Sequence, residues 1–188
     1  LAVPPSVWQR MAIDPPLPGL LRPQMGSNVK YLAAVKGRFW EAAKLSQYCL
    51  TDGPVSMTWD ATDNQKEGEA GACLTSFSGG PASETCRQWS KEERNEKYLA
   101  ELERCYPEIR KNFVEARFMD WPGEYWTGAS YSFPAPGQIT AMGEILHTGL
   151  GRLHFAGEHT CYAFVGYMEG ALNSGVALAK RLAKRHGA

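Results

Sequence analysis

Residues 153–175, LHFAGEHTCYAFVGYMEGALNSG, carry the densest chemical pattern in this chain of 188 residues. They read as a short strand over Leu153–Ala156, a glycine turn, the acid Glu158, and a long helix from about Phe164 to Arg185. The start of that helix is poor in side-chain bulk: Gly166, Gly170 and Ser174 recur at i+4, with Gly175 beside them. An interior glycine costs a helix about 1 kcal/mol against alanine, so the stripe calls for a cause. One cause is the close approach of another backbone. The other is a helix N-terminus aimed at an electron-rich ligand through its free N–H groups and its dipole.

Competing chemistries lack their residues. The sequence has no H-E-x-x-H, no G-x-S-x-G and no Walker loop. His154 and His159 are spaced so that neither a helix nor a strand turns both to one metal, and no metal site is expected. The five cysteines (Cys49, Cys73, Cys86, Cys105 and Cys161) are odd in number and scattered. They read as small half-buried thiols rather than a disulfide framework, which favours a reducing compartment such as the cytoplasm.

The elements that must position these residues follow from periodicity. Val29–Val35 reads as a strand with Val29, Tyr31, Ala33 and Val35 on one face and Lys30, Leu32 and Ala34 on the other. Cys73–Ser78 reads as a second strand closed by Gly79 and Gly80, after a polar loop over Thr62–Gly71. Phe113–Trp121 alternates as a third. Ser90 with Glu93 forms a capping box that opens a helix towards Arg104, packed through Tyr98, Leu99 and Leu102. Gly137–His147 fits another helix. At the N-terminal end, Leu1–Val3 reads as a short strand, and Pro15, Pro16 and Pro18 as a rigid bend before a turn at Leu20. Interspersed strands and helices without a regular βαβ rhythm predict an α+β fold.

Composition narrows the function. Twenty basic against 20 acidic residues give zero formal charge, which argues against a polybasic nucleic-acid or membrane binder. The uncharged run Tyr125–Gly143 is interrupted by proline, glycine and polar residues and cannot span a bilayer. The first residues have neither Met nor a basic region, so they resemble the interior of a longer polypeptide rather than a signal peptide.

Three blocks, in order, carry a family resemblance: Met25–Lys30 followed by Phe39-Trp40; Asp120-Trp121 followed by 126–131 (WTGASY) and 133–137 (FPAPG); and 155–158 (FAGE) followed by 166–171 (GYMEGA). Together they resemble the flavin amine oxidases, the family of monoamine, polyamine and L-amino acid oxidases, over nearly the whole chain. The resemblance implies non-covalent FAD, because covalent members place a cysteine where this chain has Ser130. It implies that Glu158 faces the ribityl–phosphate portion of FAD. Residues Gly166 to Gly170, including Tyr167 and Met168, would bring helix N–H groups to the pyrimidine edge of the ring. Gly157 belongs to the same cofactor motif, and Trp121 with Trp126 would help wall the cavity. Lys30 matches the lysine that holds a water near flavin N5. Tyr131 and Tyr167 match the two rings that flank the substrate amine.

The implied reaction passes a hydride equivalent from the α-carbon of the amine to the flavin, hydrolyses the imine, and returns the electrons to O2 as peroxide. The implied architecture is a mixed-sheet substrate domain plus the closing strand and helix of a Rossmann-like FAD domain. In that division residues 1–12 end an FAD-domain segment, 13–130 belong to the substrate domain, and 131–188 form the C-terminal FAD-binding segment. The family also needs a G-x-G-x-x-G turn, and the nearest match here, Gly149-Leu-Gly151, lacks the third glycine. The chain is therefore expected to act with an N-terminal part or chain that supplies the fingerprint, as a proteolytic product or fragment, within a homo-oligomer of the assembled enzyme. The alternatives are an L-amino acid oxidase making a 2-oxo acid, and a non-catalytic binding or scaffold protein that keeps the fold. A serine or zinc hydrolase stands third, because no nucleophile–base pair can be named.

Overall fold

The computed structural model describes residues 24–65 and 71–187. The expected strand at Leu1–Val3, the proline bend, the segment 1–12 and part of the 62–71 loop lie outside them. The chain divides into two compact units, Ser27–Gly128 and a second that holds, among the described residues, 24–26 and 129–187.

The Ser27–Gly128 unit is built on a four-stranded sheet. Its strands are β1 (Asn28–Val35), β2 (Met57–Asp60), β3 (Ala72–Gly79) and β4 (Phe113–Asp120), in the order β2-β3-β1-β4. Every pairing is antiparallel, where a mixed sheet was expected. The reason is topological. A helical crossover between β3 and β4 makes those two strands run the same way, but β1 lies between them and pairs with both, so no parallel ladder forms.

That crossover consists of α2 (Pro81–Gln88), α3 (Lys91–Cys105) and the single turn α4 (Ile109–Asn112), and a short α1 (Phe39–Ala42) follows β1. Val29, Tyr31, Ala33 and Val35 are buried in one core with Trp40, Leu74, Tyr98, Leu102 and Ile109. Tyr31 and Tyr98 stack in parallel at 4.3 Å between centroids, which fastens α3 to the sheet. The Ser90 capping box is complete, with Glu93 N–H on Ser90 Oγ at 3.2 Å and Ser90 N–H on Glu93 Oε2 at 3.0 Å. Helix α2 was not foreseen, although Gly80 as N-cap and Pro81 at the first helical position are its expected opening.

Cys49 and Cys105 form a disulfide, against the reading of all five cysteines as thiols. They are 56 residues apart in sequence, and the fold brings the segment before β2 to the end of α3. Tyr106, next to Cys105, ties the same segment: its hydroxyl donates to the Gln47 carbonyl at 2.9 Å and accepts from Thr58 Oγ1 at 2.8 Å. Scattered spacing thus gives no ground for a reducing compartment.

In the second unit, α5 (Gln138–Thr148) packs Met142 and Leu146 on Phe155. Leu153–Ala156 is not a strand. Leu153 and Leu150 exchange two 2.9 Å backbone bonds in a tight turn, and among the described residues no strand adjoins 154–156 to satisfy its backbone. The last helix, α6, is Met168–His186 and starts four residues later than expected. Two short 3₁₀ turns, Glu158–Thr160 and Tyr162–Phe164, occupy the intervening chain, and Gly166 at φ +83° makes the final bend that only glycine takes readily.

Candidate functional site

The register of the sheet decides what accompanies Lys30. Lys30 stands opposite Phe77 on β3 and Met119 on β4, and Phe77 stands opposite Met57 on β2. The row Met57, Phe77, Lys30, Met119 therefore crosses the face opposite the tyrosine core. The next row on that face is Trp59, Thr75, Leu32, Arg117. The Lys30 ammonium lies 5.4 Å from the Trp59 ring centroid, and the Trp59 and Phe77 rings are 6.0 Å apart. A single lysine thus projects from an aromatic and sulfur-rich surface. Arg117 shares that face, is exposed, and has no ion-pair or hydrogen-bond partner among the described residues. Trp121 follows β4 and is partly exposed, and Trp126 packs edge-on against Tyr125 at 4.9 Å.

In the second unit, residues 130–133 pair with 24–26 as a short ladder. Gly26 N–H donates to the Tyr131 carbonyl at 2.7 Å, Ser130 N–H to Gly26 at 2.9 Å and Phe133 N–H to Gln24 at 3.0 Å. Strand alternation turns Ser132 inward, 4% exposed, and leaves Tyr131 and Phe133 outward. The Ser130 hydroxyl donates to the Gly26 carbonyl at 2.7 Å.

Glu158 sits at the centre of this unit's polar chemistry. Its Oε1 accepts Ser132 N–H at 2.8 Å, and its Oε2 accepts Ser132 Oγ–H at 2.6 Å and Gly166 N–H at 2.6 Å. Burial opposes ionisation of Glu158, but the donors from Ser132 and Gly166 and the nearby His159 outweigh it and hold the carboxyl below its usual range. Burial pushes the His159 imidazole down. Gly157, at φ +140°, opens the turn that carries Glu158, and its N–H donates to Ser174 Oγ at 2.9 Å.

The glycine stripe now divides by role. Gly170 abuts the Phe164 carbonyl so closely that a Cβ would overlap it, and Ser174 takes the Gly157 N–H, so both serve close packing. Gly166 makes the turn and spends its N–H on Glu158, while Gly170 N–H bonds the Tyr167 carbonyl at 3.0 Å. That leaves Met168 and Glu169 as the N–H groups at the open helix end, where no side chain caps α6. Tyr167 and Met168 are 69% and 87% exposed there, and Tyr131 is 39% exposed. A Cβ on Gly166 would stand 3.9 Å from the Tyr131 ring, so Gly157, Glu158, Gly166 and Tyr131 gather around one turn, with Tyr167 and Met168 next to it. Lys30 and Trp121 belong to the other unit. Ser132 was not singled out in the sequence, because a serine in a short loop carries no signal until the ladder turns it inward.

These groups fit FAD. An uncapped helix end suits the electron-rich edge of a flavin ring, and an ionised carboxylate with a spare lone pair suits a polyhydroxylated chain. Among the described residues no group of three His, Cys, Asp or Glu side chains is placed to hold a metal ion, and no helix is long and apolar enough to cross a membrane.

Comparison with known proteins points independently to a flavin. Residues 1–183 match the family described as flavin containing amine oxidoreductase. The chain is 31% identical to the flavin-containing amine oxidase B of Homo sapiens, over 96% of this chain and 36% of that protein. It is 28% identical to an L-amino acid dehydrogenase of Synechocystis sp., over 97% of this chain and 40% of that one. Its structure resembles putrescine oxidase bound to putrescine, with a TM-score of 0.79 and 26% identity, over 97% of this chain and 41% of that one. The chain thus spans well under half the length of these relatives.

Proposed function

The chain belongs to the flavin-containing amine oxidoreductase family, whose members use FAD, and from that premise we propose that it forms part of an oxidase that converts a primary amine to an imine with O2, yielding aldehyde, ammonia and hydrogen peroxide. The observation that carries this reading is the Glu158 turn, where an ionised carboxylate stands beside the uncapped start of α6. FAD supplies the two-electron acceptor when bound; the chain supplies binding, orientation and electrostatics. Glu158 takes a hydroxyl of the cofactor, and the Met168 and Glu169 N–H groups stabilise negative charge at the ring edge. Lys30 holds a water beside the Trp59 and Phe77 rings, which limit bulk solvent around the reacting carbon. Tyr131 and Tyr167 present flat walls that orient a neutral amine. The Ser130 hydroxyl leaves the cofactor non-covalent.

In this reading the Ser27–Gly128 unit is the core of the substrate-binding portion assigned to 13–130, and 131–188 close the FAD-binding portion. An N-terminal part of the enzyme carries the dinucleotide fingerprint. The test is peroxide release by the holoenzyme over a panel of aromatic and aliphatic amines and L-amino acids. Turnover of amines alone supports the reading, and turnover of amino acids alone replaces it.

One observation favours the second substrate class. Arg117 is a cation on the Lys30 face with no partner among the described residues, and a guanidinium can hold a carboxylate through two parallel hydrogen bonds. An L-amino acid oxidase would use it so; the Synechocystis relative is an L-amino acid dehydrogenase.

A further inference from the structure

We propose that Ser132 is a positioning residue for cofactor binding, fixing the orientation of the Glu158 carboxylate so that its one remaining lone pair on Oε1 faces a hydroxyl of FAD. The inference rests on the reading of Glu158 as a cofactor ligand and adds what aims it. Among the described residues only Ser132 donates to both oxygens, through its N–H to Oε1 at 2.8 Å and its Oγ–H to Oε2 at 2.6 Å. Two donors from one residue, reaching different oxygens, define the plane of the carboxylate as a single donor cannot. Gly166 N–H fills the second site on Oε2 at 2.6 Å. A carboxylate offers about four acceptor sites, and donors among the described residues take three, so the open one lies on Oε1.

The donor itself is rigid. Ser132 is buried, its residue bridges Met25, and its neighbours are held by backbone bonds to Gln24 and Gly26. All donors at Glu158 favour its charged form, and loss of one shifts its protonation to higher pH. The titratable groups on the described elements around it are His159, Cys161, Tyr131, Tyr162, Tyr167 and Glu169, with Glu144 and His147 on α5, and of these the His159 charge bears on Glu158.

The test measures FAD dissociation from the holoenzyme against pH for the wild type, Ser132→Ala, Ser132→Cys, Ser132→Thr and Glu158→Gln. Ser132→Ala is expected to weaken FAD binding about tenfold at neutral pH and to move the acid limb of binding upward, while Ser132→Thr keeps both. Ser132→Cys fills the same space with a weak donor and is expected to follow alanine, which covers the case where the alanine variant fails to fold. Glu158→Gln is expected to bind weakly and to lose the limb. If Glu158→Gln is weakened but Ser132→Ala and Ser132→Cys bind FAD with the wild-type limb, the role of Ser132 is overturned. If Glu158→Gln binds as the wild type does, the reading of Glu158 itself falls.

Discussion

The Lys30 ammonium stands 5.4 Å from the Trp59 ring centroid, held there because β1 and β2 both pair with β3 and leave the two side chains diagonal on one face. The ring gives the cation a partner that, unlike a carboxylate, leaves its three N–H donors free to hold a water. Lys30→Met keeps an unbranched side chain one atom shorter and removes those donors. It should slow flavin reduction or reoxidation by about a hundredfold, read by stopped-flow absorbance, with little change in FAD affinity. Unchanged rates in both half-reactions would remove Lys30 from the chemistry.

Gly170 and Gly175 predict opposite effects of the same substitution. An added Cβ at Gly170 overlaps the Phe164 carbonyl, which is backbone and cannot turn aside, whereas Gly175 has nothing within 4 Å and ordinary helical geometry. Gly170→Ala should destabilise by about 1–3 kcal/mol and Gly175→Ala should stabilise by about 1 kcal/mol, measured by thermal or denaturant unfolding.

Acid stability should report Asp60. Burial pushes its carboxyl up, but hydrogen bonds from the Thr62 side chain and N–H, at 2.6 and 2.7 Å, and the Arg38 guanidinium at 2.7 Å hold it below the usual range. A carboxyl whose folded value is depressed contributes stability that is complete above its unfolded value, about pH 4, and is lost as pH falls through the folded one. Asp60→Asn should therefore be less stable than the wild type at neutral pH, and the gap should narrow on acidification. A gap that stays constant with pH contradicts this assignment.

The disulfide makes a chemical prediction. Three cysteines, Cys73, Cys86 and Cys161, are free, so the unfolded, non-reduced protein should titrate three thiols and the reduced protein all five. Closing a span of 56 residues restricts the unfolded chain, and Cys49→Ala with Cys105→Ala should lower stability by about 4 kcal/mol at most. Five thiols before reduction would contradict the pairing.

What could be read in advance depended on whether the signal was local. The Val29, Tyr31, Ala33, Val35 face follows from strict alternation, and α3 from a capping box and one apolar stripe, so both stand where the sequence places them. Helix α6 begins late because two 3₁₀ turns and the positive φ of Gly166 intervene, and glycine permits that bend without announcing it. Leu153–Ala156 has a strand's composition, but pairing depends on a neighbour that the local sequence does not specify. Cys49–Cys105 and Ser132–Glu158 are contacts across 56 and 26 residues, formed only when the fold closes. The motif revealed the acid, and only the ladder at 130–133 revealed what holds it.

The proposed oxidase chemistry is checked by mixing the FAD-loaded holoenzyme anaerobically with a primary aromatic amine and following the flavin absorbance. It predicts single-turnover bleaching with one aldehyde formed per flavin, and recovery of the yellow colour with peroxide release when O2 is admitted. A flavin that stays oxidised with every amine and L-amino acid offered would contradict it.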